Sequence, residues 1–101
     1  MEIIFEYDGV TASESLEMFA REKLNKLADK YQMIIRADVF FKTENTTSTD
    51  TGMISNIRLS LPGPRLFAES SNDSFRESLV ESIGELERQL RKRKEMMKSH
   101  A

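Results

Sequence analysis

Cysteine and tryptophan are absent from the 101 residues, and histidine occurs once. Without cysteine there is no disulfide, no thiolate nucleophile and no zinc–sulfur site. The single His100 sits beside the C-terminus, where fraying is expected, and offers a Ser-His-Asp triad no fixed geometry. Glycine is sparse and scattered, at 9, 52, 63 and 84, with neither a Gly-x-Gly-x-x-Gly nor a phosphate-cradling loop. No run approaches the roughly 18 apolar residues of a membrane span. The opening Met-Glu-Ile-Ile-Phe-Glu-Tyr lacks the basic region and long apolar core of a signal peptide, so a cytoplasmic protein is expected. None of the seventeen acids lies in an apolar run that would raise its pKa. Together these absences point away from an enzyme, and no cofactor, metal, small-molecule substrate or membrane is expected.

What is present is charge, unevenly placed. The net charge is −2, against the basic character of an indiscriminate polyanion binder, whose pI usually exceeds about 9. Yet from Glu69 to Glu87 six acids accompany one base, and from Arg88 to Lys98 six bases accompany one acid. Phe75, Leu79, Ile83, Leu86 and Leu90 recur in steps of three and four, which predicts one long helix from about Asp73 to Lys98. Ser70, Ser71, Asn72 and Asp73 are its candidate caps. Beyond Leu90 the residues Arg91, Lys92, Arg93 and Lys94 follow without a break, on a helix end (88–98) expected to project past the core.

The remainder reads in order. Glu2 to Tyr7 is a short strand rich in Ile, Phe and Tyr. Thr11-Ala12-Ser13-Glu14 has the spacing of a capping box, opening a helix to about Lys30 with Leu16, Ala20, Leu24, Leu27 and Tyr31 on its buried stripe. Lys23, Lys26 and Lys30 fall within about 60° of one another beside that stripe, a basic ridge. Strands are expected over Met33–Lys42, Met53–Leu61 and Arg65–Glu69, with a polar loop from Glu44 to Gly52 and a tight turn at Leu61-Pro62-Gly63-Pro64. Gly84 inside the long helix is read as allowing close packing. The fold class is therefore α+β in the order β-α-β-β-β-α: two helices on one face of a four-stranded sheet, one domain over 1–101.

The basic helix end has two readings. Bases near a helix C-terminus complement the macrodipole and need no ligand. Four consecutive cations exceed that need, and such clusters meet phosphates or an acidic surface. If both helices share one sheet face, Lys23, Lys26 and Lys30 can line the same side as Arg88, Arg91 and Lys92, suited to RNA backbone read by shape. Phe5, Phe19, Phe41 and Phe75 read as core; Phe40 and Phe67 are the outward-facing candidates.

Leu61-Pro62-Gly63, Leu66-Phe67-Ala68-Glu69, Asp73-Ser74-Phe75 and Leu86-Glu87-Arg88-Gln89-Leu90-Arg91-Lys92 resemble the ribosome hibernation-promoting factor family, also called ribosome-associated inhibitor A or sigma-54 modulation protein. Lys23-Leu24-x-Lys26-Leu27 and Ala37-Asp38-Val39 extend the likeness over nearly the whole chain. The resemblance implies a fold similar to double-stranded RNA-binding domains. It implies binding to small-subunit ribosomal RNA in the messenger and transfer RNA channel, inhibiting translation in stationary phase or stress. It carries rRNA contacts to Lys23, Lys26, Arg88, Arg91, Lys92 and Lys94; Lys30 is added from the helical wheel. Glu85 stands where many members have lysine, and Arg93 where an aromatic is frequent. The chain resembles the short form, without the C-terminal dimerisation domain, and a monomer is expected. The rival class is a non-catalytic protein-interaction or transcription-modulating module that uses the basic C-terminal helix.

Overall fold

A computed structural model describes residues 1–98; the tail histidine, His100, lies outside the described residues. Six elements follow in the predicted order: β1 (Glu2–Asp8), α1 (Glu14–Lys30), β2 (Arg36–Thr43), β3 (Met53–Ser60), β4 (Leu66–Asn72) and α2 (Phe75–Lys98). The sheet runs β1-β2-β3-β4. β1 lies parallel to β2, with α1 as the crossover between them, and the other pairs are antiparallel. Leu16, Ala20, Leu24 and Leu27 of α1 and Leu79, Leu86 and Leu90 of α2 bury against Ala37, Val39, Phe41, Ile57, Leu59 and Ala68. Strand alternation thus turns one sheet face to both helices. Glu6, Asp38, Phe40, Lys42, Asn56 and Arg58 line a shallow depression on the other face.

Element boundaries depart from expectation where tertiary pairing outweighs local chemistry. Ser13, not Thr11, caps α1: its hydroxyl accepts the Leu16 N–H at 3.3 Å. Starting there brings Glu17 to the Tyr7 hydroxyl, which donates to it at 2.6 Å. β2 starts at Arg36 rather than Met33, because the Ile34 N–H turns back to the Tyr31 carbonyl at 3.2 Å. Ser70, Ser71 and Asn72 do not cap α2. They extend β4 by pairing with Ser55, Ile54 and Met53, and the Ser74 hydroxyl instead accepts the Glu77 N–H at 3.2 Å.

Gly84 is not a packing device. It is exposed, and a Cβ there would meet nothing within 4 Å. Close approach of α2 to the sheet rests on serines. Ser78 Oγ donates to the Met53 carbonyl at 2.5 Å, and Ser82 Oγ donates to the Ser55 carbonyl at 2.9 Å and lies 3.0 Å from Ser70 Oγ. All four serines are buried, and hydrogen bonding removes the penalty their hydroxyls would otherwise carry. At the β3–β4 turn Gly63 takes φ +91°, a left-handed value that glycine adopts without the clash a Cβ would bring.

Candidate nucleic-acid interface

The two helices meet along a line that begins with Phe19 and ends with Tyr31. Lys23 rests its ammonium 5.5 Å from the centre of the Phe19 ring. Farther along, Lys23, Lys26, Leu27 and Lys30 of α1 face Ile83 and Glu87 of α2 across a groove of about 290 Å³. Lys30 closes it, donating to Glu87 at 2.8 Å. Past that contact, the ammoniums of Lys30 and Lys94 each stand 5.7 Å from the centre of the buried Tyr31 ring. Cation–π attraction holds both near one ring, so cations from the two helices converge there.

The seven predicted cations divide by direction. Successive helix positions turn by about 100°, so with Glu87 facing α1, Arg91 and Lys94 fall on the same side. Arg88 and Lys92 are turned about 100° and 140° away, toward solvent. Lys23, Lys26 and Lys30 thus line the groove, with Arg91 and Lys94 beyond it on the side of α2 that faces α1, while Arg88 and Lys92 form a separate outer pair.

Four of the seven are matched by glutamates. Lys26 lies 3.5 Å from Glu22, Lys30 2.8 Å from Glu87, Arg88 2.6 Å from Glu85 and Arg91 3.8 Å from Glu87. Hydrogen bonds from Arg88 and then Gln89 hold the Glu85 carboxyl below the usual carboxylate range. The hydrogen bond from Lys30 does the same for Glu87. Lys30 and Arg88 are correspondingly raised. These pairs are exposed and screened by salt, so an incoming phosphate can take either cation from its glutamate. Among the described residues Lys92 makes no ion pair. The cluster exceeds its matching acids: seven cations face three glutamates.

One cation of the Arg91–Lys94 run is structural. Arg93 turns under the helix and donates to the carbonyls of Pro62 at 3.1 Å and Pro64 at 2.9 Å. Tyr31 was read from sequence only as core, yet it organises Lys30 and Lys94. The 22/26, 85/88 and 87/91 pairs were legible as helical spacings. The link from Lys30 to Glu87 had no local signal. Among the described residues no group of three His, Asp or Glu side chains could hold a metal ion, and no helix is long and apolar enough to cross a membrane.

Comparison with known proteins agrees in fold. The sequence pattern of the family described as sigma 54 modulation protein / S30EA ribosomal protein matches residues 3–98. No protein of curated function matches. A ribosomal subunit interface protein from Coxiella burnetii superposes with a TM-score of 0.80 at 23% identity, over 93% of this chain and 98% of that one. The N-terminal domain of Protein Y from Thermus thermophilus superposes with a TM-score of 0.74 at 18% identity, over 91% and 98%.

Proposed function

Because the chain belongs to the sigma 54 modulation protein / S30EA ribosomal protein family, we propose that it is a cytoplasmic, non-catalytic translation inhibitor. It binds small-subunit ribosomal RNA in the messenger and transfer RNA channel and holds ribosomes in an inactive, hibernating state. One observation carries this reading: Lys30 and Lys94, from different helices, converge on the Tyr31 ring at the end of a groove lined by Lys23 and Lys26. A track of ammoniums and guanidiniums with few base-reading groups suits the phosphates of folded RNA, recognised by shape. The excess of cations over glutamates lets binding proceed on a molecule of net charge −2. The chain acts as a monomer, with Arg88 and Lys92 on the outer side of α2 as secondary phosphate contacts.

The test is co-sedimentation with purified small subunits across a salt series. Binding should fall linearly on a log–log plot as counterions are released and retaken. Arg91→Glu combined with Lys92→Glu should abolish it while leaving the melting temperature nearly unchanged. Wild-type sedimentation by that double variant would overturn the assignment. Binding to an acidic protein in place of ribosomes would support the interaction-module reading.

A further inference from the structure

Where α2 overhangs the α1–β2 connection, Asp29, Lys30, Tyr31, Gln32, Met33, Lys94 and Met97 enclose an open cleft of about 600 Å³. This lies within the roughly 300–1,000 Å³ of small-ligand sites. Met97 is half exposed on one wall, Met33 is partly buried on the other, and Tyr31 closes the floor. Lys30 and Lys94 stand at the rim, held by the Tyr31 ring. Lys30 also belongs to the groove between the helices, so cleft and groove are continuous through one side chain.

We propose that this cleft accepts one unstacked RNA base, its flanking phosphates resting on Lys30 and Lys94. The inference rests on the ribosomal RNA reading and adds a subsite to it. A flat apolar body with an anion on either side is the shape of a nucleotide within a strand. The thioethers of Met33 and Met97 are polarisable and adapt to a flat surface. Asp29 and Gln32 supply polar groups at the mouth, where a base presents its hydrogen-bonding edge. An aliphatic side chain of a protein would satisfy the methionines but would bring no anion to Lys94, which makes no ion pair among the described residues.

Salt dependence separates the apolar contact from the ionic ones. Lys94→Ala should reduce the slope of log affinity against log salt by about one. Met97→Ser should weaken small-subunit binding by about fivefold at every salt concentration and leave the slope unchanged. The melting temperature checks that both variants fold. A photoreactive p-benzoylphenylalanine in place of Gln32, irradiated on small subunits, should cross-link to ribosomal RNA. Unchanged affinity in Met97→Ser, or cross-links to ribosomal protein alone, would overturn the cleft assignment while ribosome binding stands. Failure of the unaltered chain to bind small subunits would overturn both readings.

Discussion

The ammonium of Lys30 lies 2.8 Å from the carboxylate of Glu87, a residue 57 positions later in the chain. The contact ties the last turn of α1 to the middle of α2. Arg91 also approaches that carboxylate, at 3.8 Å. Glu87 thus occupies a place among cations that a phosphate oxygen could take, and it competes with any polyanion entering the groove.

Replacing that carboxylate should therefore tighten RNA binding. Glu87→Gln keeps the size of the side chain and removes its charge, leaving Lys30 and Arg91 free for phosphate. Small-subunit affinity at low salt is expected to rise by about three- to tenfold, with the gain shrinking as salt screens the groove. A salt series of binding isotherms measures it; equal or weaker binding by the variant would show that Glu87 orders the cations instead of blocking them.

Arg93 and Lys92 are neighbours with opposite expected phenotypes. Arg93→Ala removes two hydrogen bonds to the Pro62 and Pro64 carbonyls and should lower stability by about 0.5–1.5 kcal/mol. Lys92→Ala, at an exposed site without an ion pair among the described residues, should leave urea unfolding unchanged and weaken ribosome binding. Denaturation and co-sedimentation on the same two proteins decide the matter.

Two glycines should respond in opposite senses to alanine. At Gly84, helical and open, alanine should stabilise by about 0.5–1 kcal/mol. Gly52 has φ +112°, and a Cβ there would stand 2.9 Å from the Glu44 carbonyl oxygen. Alanine at that position should cost about 1–3 kcal/mol. Thermal or urea unfolding of each single variant tests both signs.

Alkaline pH should weaken the fold through Tyr7. Burial, reinforced by the hydrogen bond to Glu17, raises its phenol above the usual value of 10.0. A raised acid pKa means that the native state favours the protonated form. The contribution is complete below about pH 10, the unfolded value, and is lost as pH rises through the native value. Tyr7→Phe should flatten the alkaline limb of the stability profile, measured as unfolding midpoints from pH 8 to 11.

Periodicity carried most of the architecture. The apolar steps from Leu16 to Tyr31 and from Phe75 to Leu90 require one buried face per helix, and alternation at Ala37, Val39 and Phe41 requires a sheet beneath them. The boundaries were less legible, because capping residues cluster. Ser70–Asn72 have equal claims as cap and strand until the register with Met53–Ser55 assigns them to β4. Gly84 was misread because a small side chain says that close packing is possible, not where it occurs; Ser78 and Ser82 occupy the turns that touch β3.

Lys23, Lys26 and Lys30 could be placed on one ridge from their spacing alone, and the density of cations after Leu90 was plain in one dimension. Local order determined which residues carry charge and which bury. Direction was another matter. Whether Arg93 meets solvent or a proline carbonyl depends on how α2 lies over the β3–β4 turn. Whether Lys30 and Lys94 converge on Tyr31 depends on the crossing of two helices far apart in sequence. That crossing follows from how their buried leucines and serines settle on the shared sheet, which no single segment encodes.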